Sequence, residues 1–516
     1  MRAARAIAPI AGIAVATTLL AGCAMTRVPP SSGEESAVPS PEALVARVAE
    51  YAAPRIHDWG VTSVALGVIT ADGLAASWFS GENTAGDPVD AETLFEIGSA
   101  TKAFLGVSEA LLVERGELAW DDPVVEHYPG FGLSDPWVTQ EFRIGDLLAQ
   151  RTGLPPYAAD MFGHLGYDYE DGIEALRYIE PVTSFRSEFA YQNLPHLVAG
   201  KIVAGIEGAA TWGEAAEPLI FEPLGMDSTR IGYDALASSA NTTVGHEHWD
   251  GAVRALAPGR LPADAQGAGG IVSNLADMSR WVAMHLNRGE TPAGRFISEE
   301  QLEETYRPRV QVTGDFAEGM KQGDGVPRIG YATGWLVHSL PEGRVIEHGG
   351  TTNGYTSSVR FDPDRGIGVV VLTNLAYHGG LATPIAQYAM DLIQQREPVD
   401  YEARIQETLR ARDAAAGDAP AYEIADPAEL ERYTGEYTHP VAGTIEVRVE
   451  DGRLSTTIGP RAIRASFTPV AEDAFELSWL FDNDPDAWHL SAPVVFSGEG
   501  EVPDTLLLAD LAFARS

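Results

Sequence analysis

Positive charge is scarce in this chain. Its 516 residues include 35 Lys and Arg against 74 Asp and Glu, a formal net charge of −39 at pH 7. Binding of nucleic acid and electrostatic docking on anionic lipid both require basic patches. The composition therefore argues against nucleic-acid partners, and the excess of acidic side chains favours solubility. Lysine is especially rare, being found only at Lys102, Lys201 and Lys321.

Cysteine is nearly absent as well. The one cysteine, Cys23, excludes an intramolecular disulfide. Before it, Arg2 and Arg5 precede an apolar stretch from Ile7 to Leu20, a pattern that predicts an export signal. The segment "LAGC" resembles a bacterial lipobox, which implies cleavage before Cys23 and lipidation of its sulfur. The alternative is a plain signal peptide with a chance cysteine. We expect an extracytoplasmic protein, attached to the bacterial cell membrane only through that lipid.

Composition and hydrophobic patterning divide the chain into five segments. They are a signal peptide (1–22), a flexible Pro- and Ser-rich tether (23–42), a large mixed domain (43–395), a polar linker (396–422) and a small β domain (423–516). In the last segment, Ile445, Val447 and Val449 alternate with polar residues before an "EDG" turn. The sequence predicts an α/β (α+β) domain followed by a small antiparallel β-barrel.

The stretch "FEIGSATKAF" places Ser99 three residues before the rare Lys102. The apolar spacing that follows predicts an amphipathic helix ending at Gly116, with Ser99 and Lys102 on one face. A serine hydroxyl becomes a good nucleophile only when a base takes its proton, and a buried lysine with a lowered pKa can be that base. A capping serine and a surface lysine would give the same pattern.

Two further stretches place polar groups where a substrate could bind. In "EFAYQNLPHLVAG", Tyr191 and Asn193 project to one side of an extended segment that leads into a helix. In "RVIEHGGTTNGY", a strand leads to His348 and two glycines, so that Thr351 could offer its N–H to an oxyanion. A core tyrosine with a capping asparagine, and a structural histidine, are the alternatives.

Together and in this order, the three motifs resemble the serine β-lactamase and penicillin-binding-protein superfamily. The likeness is to its class C-type branch, which includes D-amino-acid peptidases and carboxylesterases. The stretches "GELAWDDPVVEHYPGF", "IGDLLAQRTGLP", "EPLGMDSTRIG" and "GAGGIVSNLADMSRWV" look like connecting landmarks of that family. The resemblance implies a central antiparallel sheet with a helical region. The "YTGEY" region resembles the lipocalin-like β-domain fused to some of these hydrolases.

Carried over by position, the resemblance assigns a role to each motif residue. It implies Ser99 as acylated nucleophile, Lys102 as base, Tyr191 as proton-transferring phenol, Asn193, His348 and Gly350 as substrate-binding residues, and the backbone N–H groups of Ser99 and Thr351 as oxyanion hole. His348 stands where lactamases carry a lysine. A neutral histidine is a poorer anchor for a substrate carboxylate, which favours esters or D-amino-acid amides over β-lactams.

Other readings of the sequence find less support. The chain contains no Gly-x-Ser-x-Gly motif, which an α/β-hydrolase would need. His246 and His248 lie two residues apart but without a zinc-protease motif, so we predict no metal site and no cofactor. The expected partner is a small molecule or short peptide, with the oligomeric state undetermined. A β-lactamase, a D,D-carboxypeptidase and a catalytically silent sensor stay open as alternatives.

Overall fold

A computed structural model describes residues 38–232, 234–249, 252–256, 266–352, 354–376, 380–417, 422, 427–480 and 489–516. The predicted signal peptide and Cys23 lie outside these residues, as does most of the predicted tether. A search of the described helices for one with the length and apolarity to cross a membrane found none.

The helices of the described residues are mostly short. They are α1 (Pro41–Trp59), α2 (Thr101–Glu114), α3 (Val124–His127), α4 (Pro136–Glu141), α5 (Ile144–Leu147), α6 (Met161–Leu165), α7 (Tyr169–Ala175), α8 (Leu194–Glu207), α9 (Trp212–Ala216), α10 (Glu222–Leu224), α11 (Asp234–Ser238), α12 (Gln266–Gly269), α13 (Leu275–Leu286), α14 (Glu299–Thr305), α15 (Gly314–Met320), α16 (Ala382–Ile393) and α17 (Tyr401–Gly417).

The strands fall into a mixed region and a later run without helices. They are β1 (Ser63–Thr70), β2 (Gly73–Gly81), β3 (Phe95–Glu96), β4 (Arg230–Ile231), β5 (His246–Trp249), β6 (Ala252–Ala255), β7 (Ile271–Ser273), β8 (Glu290–Thr291), β9 (Gly294–Arg295), β10 (Val310–Val312), β11 (Ile329–Tyr331), β12 (Leu336–Leu340), β13 (Gly343–Thr352), β14 (Tyr355–Asp362), β15 (Ile367–Thr373), β16 (Leu375–Ala376), β17 (Gly435–His439), β18 (Gly443–Glu450), β19 (Arg453–Ile458), β20 (Ile463–Ala471), β21 (Ala474–Leu480), β22 (His489–Ser497), β23 (Thr505–Leu508) and β24 (Leu511–Arg515).

An antiparallel sheet forms the centre of the first domain, in the order β10-β11-β12-β13-β14-β15-β1-β2. Its central strands are buried on both faces, which is why "IGVVVLT" in β15 is apolar from Ile367 to Leu372. Successive residues of β15 alternate between two cores, because side chains alternate across a strand. Val369 and Val371 face α1 and α16, whereas Val370 and Leu372 face the core that contains α2 and α13.

The helix after the Ser-x-x-Lys motif departs from the prediction. We predicted an amphipathic helix with one exposed face, but every residue of α2 from Thr101 to Leu112 is buried. Neighbours enclose it on several sides, since α8, α12 and α14 all contact it and the ring of Trp281 stacks on Phe104 at a centroid distance of 3.7 Å. A spacing pattern reports apolar positions, but the number of elements that pack around a helix depends on the tertiary fold.

The C-terminal strands close into a barrel of eight, β17 to β24 in sequence order. Buried and exposed residues alternate along its strands. In β18 the buried Ile445 and Val447 point inward, while Glu446 and Arg448 point to solvent. The turn at Asp451-Gly452 takes the left-handed backbone that a two-residue hairpin needs, with φ of 49° and 76°. The fold class predicted from the sequence is therefore confirmed in both domains.

The barrel and the mixed domain share one apolar core. A continuous cluster of buried side chains includes Phe162 and Leu165 of α6 together with Tyr437 and Phe513 of the barrel. Polar contacts reinforce the junction, as the Tyr167 hydroxyl donates to the carbonyl of Ala442 at 2.6 Å. The segment predicted as a linker contains α17, which packs against α16.

Candidate active site

A tight turn and the helix that follows it bring Ser99 and Lys102 together. Residues Gly98–Ala100 form a single 3-10 turn, and α2 continues directly from it. Lys102 Nζ lies 2.9 Å from Ser99 Oγ and donates a second hydrogen bond to the carbonyl of Ala268 at 2.7 Å. The geometry therefore aims the lysine nitrogen at the serine oxygen, in position to accept its proton.

Burial changes the proton affinity of Lys102. Its side chain is fully buried, and the loss of solvation lowers its pKa from 10.5 to about 7, against a smaller opposing effect of the Asp160 carboxylate. Near neutral pH, a large share of the molecules then carry a neutral amine at this position. A neutral amine next to a serine hydroxyl is a competent general base.

The glycines of the third motif allow β13 to pass against the turn that carries Ser99. A Cβ on Gly350 would lie 1.8 Å from the carbonyl oxygen of Ile97, and a Cβ on Gly98 would lie 2.8 Å from the backbone N of Thr351. Gly98 also has a φ of 53°, a conformation that favours glycine. This close approach brings the backbone of the Ser99 turn against that of β13, and Ser99 and Thr351 both line the cleft.

Tyr191 and Asn193 both line the cleft, whereas Gln192 points away and accepts a hydrogen bond from Thr152 Oγ1 at 2.7 Å. Burial raises the pKa of Tyr191 well above 10, opposed in part by a hydrogen bond with Ser99, so the phenol is neutral at physiological pH. Asn193 is the N-cap residue of α8, but its side chain makes no capping hydrogen bond. Its Nδ2 donates instead to Asp160 Oδ2 at 2.5 Å.

His348 is neutral, with both of its ring nitrogens engaged. Nδ1 lies 2.6 Å from the carbonyl of Gly349, which can only accept, so Nδ1 carries the proton. Nε2 then accepts from the hydroxyl of Tyr331 at 3.0 Å. Burial, followed by the nearby Lys102, lowers the pKa of His348 to about 4. This position therefore offers no positive charge to a substrate carboxylate.

The cleft has a volume of about 510 Å³, within the range of small-molecule sites. Its polar floor contains the motif residues, and its apolar wall consists of side chains from α15, β12 and α17: Phe316, Met320, Leu336 and Ile405. Tyr157, about half exposed, stands at the mouth. Among the lining residues of this cleft, Asp315 is the one with a formal charge at neutral pH. The cleft thus suits a neutral substrate with an apolar group.

Sequence reasoning missed several of these residues. Tyr157 and Asp160 follow the landmark "RTGLP", and the Pro-Pro-Tyr turn beside it was an available signal. Ile405 lies in the segment predicted as a linker, where no local pattern indicates a contact with the cleft.

The His246 and His248 pair lies on β5, where a ring nitrogen of His248 forms a hydrogen bond with the carbonyl of Trp59 at 2.7 Å. Across the described parts of the chain, a search for metal-binding clusters of His, Cys, Asp and Glu returned none.

Comparison with known proteins agrees with this geometry. A family model described as Beta-lactamase matches residues 48–392, more than half of the chain. The chain belongs to the β-lactamase family. A second model, described only as a domain of unknown function, matches residues 419–514.

Relatives of this β-lactamase-family chain carry several names. "Unguisins hydrolase ungD'" of Aspergillus campestris is 26% identical over 472 residues, which cover 83% of each chain. "Penicillin-binding protein 4" of Amycolatopsis lactamdurans is 26% identical over 315 residues, 58% of this chain and 75% of the relative. The solved structure of an octameric penicillin-binding protein homologue from Pyrococcus abyssi has a TM-score of 0.59 at 22% identity, covering 91% of this chain and all of that one. That likeness shows the fold, and the family is one of serine hydrolases.

Proposed function

We propose that this β-lactamase-family protein is a serine hydrolase that cleaves esters or D-amino-acid amides and short peptides through an acyl-enzyme on Ser99. The observation that carries the proposal is the 2.9 Å contact between Ser99 Oγ and the Nζ of Lys102. The full burial of Lys102 and its pKa of about 7 make the amine a base at neutral pH.

In the acylation step, Ser99 Oγ gives its proton to Lys102 and forms a bond to the substrate carbonyl carbon. The oxyanion accepts hydrogen bonds from the backbone N–H groups of Ser99 and Thr351, each of which contributes about 3 kcal/mol to transition-state stabilisation. The bond to the leaving alkoxide or amine then breaks. The neutral phenol of Tyr191 donates the proton that the leaving group takes, and Lys102 returns a proton to Tyr191.

Deacylation reverses the same proton path with water in place of the alcohol or amine. The water oxygen attacks the ester carbon while its proton passes to the Tyr191–Lys102 pair. The ester bond to Ser99 breaks, and Ser99 Oγ recovers its proton from Lys102. The side-chain amide of Asn193 has two hydrogens. One is donated to Asp160, and the other donates a hydrogen bond to the substrate carbonyl throughout the reaction.

The neutral His348 and the apolar wall of the cleft favour an uncharged substrate over one with a carboxylate next to the scissile bond. A β-lactamase or D,D-carboxypeptidase would need a cation at that position. β-Lactamase activity is the alternative proposal, because a relative named Beta-lactamase from Escherichia coli is 24% identical over 335 residues. A silent sensor is less consistent with an intact serine–lysine pair.

One plate assay tests the proposal. The chain from Thr26 onward is assayed on a short-chain p-nitrophenyl ester, a D-alanine p-nitroanilide and a chromogenic cephalosporin. The Ser99→Ala variant should lose about 10⁴-fold or more in turnover. Ser187→Ala, which removes an exposed serine hydroxyl, is the matched control and should keep full activity. Absence of turnover on all three substrates, with no labelling of Ser99 by a fluorophosphonate, would reject the enzyme in favour of a binding protein.

We also propose export and lipid attachment at Cys23, on the basis of the lipobox-like segment alone. Expression of the full chain in a bacterial host with labelled palmitate tests this. The label should enter the wild-type protein, which should sediment with membranes, whereas the Cys23→Ala variant should take no label and be released. Equal sedimentation of both proteins without label would contradict lipid attachment.

A further inference from the structure

The last hairpin of the barrel reaches a loop beside the active-site cleft. β23 and β24 are joined by Ala509 and Asp510, with Ala509 at a φ of 53°. The Oδ2 atom of Asp510 accepts a hydrogen bond from the backbone N–H of Ala159 at 2.8 Å. Asp510 lies 351 positions from Ala159 in the chain, so this contact depends on the docking of the barrel.

The loop that Asp510 holds is strained. Tyr157 has a φ of 59° and Ala159 a φ of 58°, and neither is a glycine. Each such residue costs on the order of 1–3 kcal/mol and persists only where surrounding contacts fix it. Two contacts fix this loop from opposite ends: the N–H of Tyr157 donates to the carbonyl of Tyr191 at 2.7 Å, and the N–H of Ala159 donates to Asp510.

The two ends of the loop present groups to the site. Tyr157 lines the cleft, its ring centroid 5.6 Å from that of Tyr191. Asp160, next to the residue that Asp510 holds, accepts the hydrogen bond from Asn193 Nδ2. The other carboxyl oxygen of Asp160 is buried and has no hydrogen-bond partner among the described residues. Buried polar atoms without a hydrogen-bond partner are rare in folded proteins, so this oxygen calls for an explanation.

The barrel also secures the chain that follows the loop. The carbonyl of Leu165, at the end of α6, lies so close to Gly459 that a Cβ there would approach within 2.2 Å. Since α6 begins directly after Asp160, both ends of the segment from Ala159 to Leu165 contact the barrel. The position of Asp160 is therefore set jointly by the mixed domain and the barrel.

We infer that Asp510 is a positioning residue for the proposed hydrolysis: through Ala159 it holds the Tyr157–Asp160 loop, so that Asp160 aims the amide of Asn193 at the substrate carbonyl. The inference rests on the proposed function. It assigns the C-terminal barrel a part in substrate alignment, although the barrel contributes no side chain to the described lining of the cleft.

Three variants of the chain from Thr26 onward test the inference. Asp510→Ala removes the acceptor for the Ala159 N–H, Asp510→Asn keeps an oxygen in its place, and Asp504→Ala is the control. Asp504 is an exposed barrel residue whose side chain bonds the neighbouring Thr505 hydroxyl at 3.0 Å. Thermal unfolding of each variant checks that the barrel stays folded.

Two readouts separate positioning of the substrate from damage to the nucleophile. Fluorophosphonate labelling of Ser99 needs Lys102 and the oxyanion hole, but the reagent has no carbonyl group for Asn193 to align. Turnover of the D-alanine p-nitroanilide or the p-nitrophenyl ester needs the aligned carbonyl. Asp510→Ala should lower kcat/KM about 10²-fold, the loss typical of a misplacement near 1 Å, and leave labelling nearly unchanged. Asp510→Asn and Asp504→Ala should stay close to wild type.

A double-mutant cycle completes the test. If Asp510 acts through Asp160, Asp510→Ala should cost little further turnover in an Asp160→Ala background. Additive losses, an equal loss of labelling and turnover, or equal effects of Asp510→Ala and Asp504→Ala would each overturn the inference. A wild-type protein that neither turns over substrate nor labels would instead reject the proposed function, and the inference with it. If Asp510→Ala both labels and turns over substrate like the wild type, the inference is rejected while the proposed function stands.

Discussion

Burial of Lys102 predicts that the acylation of Ser99 has an acidic limb near pH 7. The pKa of this lysine falls from 10.5 to about 7. At pH 7 about half of the molecules then carry the neutral amine, against about one in 3,000 for a lysine with an ordinary pKa. The fold therefore enriches the neutral amine about 10³-fold, and the shift in pKa corresponds to roughly 5 kcal/mol in the free energy of deprotonation.

The assay is the second-order rate of fluorophosphonate labelling at Ser99, measured from about pH 5 to pH 9 to bracket the lysine pKa. Below the midpoint the rate should fall about tenfold per pH unit, and above it the rate should level off. No basic limb is expected in this range, because the pKa of Tyr191 is raised well above 10. The histidines nearest Lys102, His348 and His196, have lowered pKa values and stay neutral near pH 7.

Asp160 also titrates near this midpoint, since burial raises its pKa to about 7. An Asp160→Asn variant separates the two groups. The Asp160 carboxylate raises the pKa of Lys102, so its removal should shift the labelling midpoint to lower pH. A Lys102→Arg variant, which cannot lose its proton, should not label at any pH, whereas Lys201→Arg on the surface should label normally. A flat wild-type profile, or normal labelling of Lys102→Arg, would refute the reasoning.

Four other substitutions have defined outcomes. Tyr191→Phe removes the phenol that we propose transfers the proton, and it should lower kcat about 10²–10⁴-fold with a small change in KM, measured by steady-state kinetics. Gly350→Ala forces β13 away from the carbonyl of Ile97 and should lower the labelling rate about 10²-fold through the oxyanion hole. His348→Lys supplies the missing cation and should lower KM for a carboxylate-bearing cephalosporin about tenfold, a gain of roughly 1.4 kcal/mol. Lys102→Met should raise the free energy of unfolding by about 1–4 kcal/mol at pH 7 or below, measured by denaturant titration. From about pH 7 to 10.5 the wild-type unfolded chain binds a proton that the folded chain does not, so wild-type stability rises and this gain shrinks.

The parts of the fold that depend on local pattern could be predicted from the sequence. Strand alternation around Ile445 and Val447 indicates the barrel, and the apolar run of β15 indicates a strand buried on both faces. The Ser-x-x-Lys spacing fixes the contact of Ser99 with Lys102. Ser99 lies in the 3-10 turn and Lys102 at the start of α2, which continues directly from that turn. Such short-range geometry follows from residue spacing alone.

Contacts between distant segments could not be predicted in the same way. The burial of α2 on all sides depends on helices far away in the chain, and the approach of Ile405 to the cleft depends on the path of α17. The bond from Ala159 to Asp510 joins residues in different domains. One sequence contains no pattern that pairs such positions, because each residue alone is consistent with a surface loop or a linker.

The apolar core shared by the mixed domain and the barrel has a consequence for unfolding. Phe162 and Leu165 belong to the same buried cluster as Tyr437 and Phe513. Unfolding the barrel would expose the side of α6 that it covers and release the segment that begins at Ala159. We therefore expect the mixed domain and the barrel to unfold in one transition, so that a destabilising substitution in the barrel lowers the population of intact clefts at the same temperature.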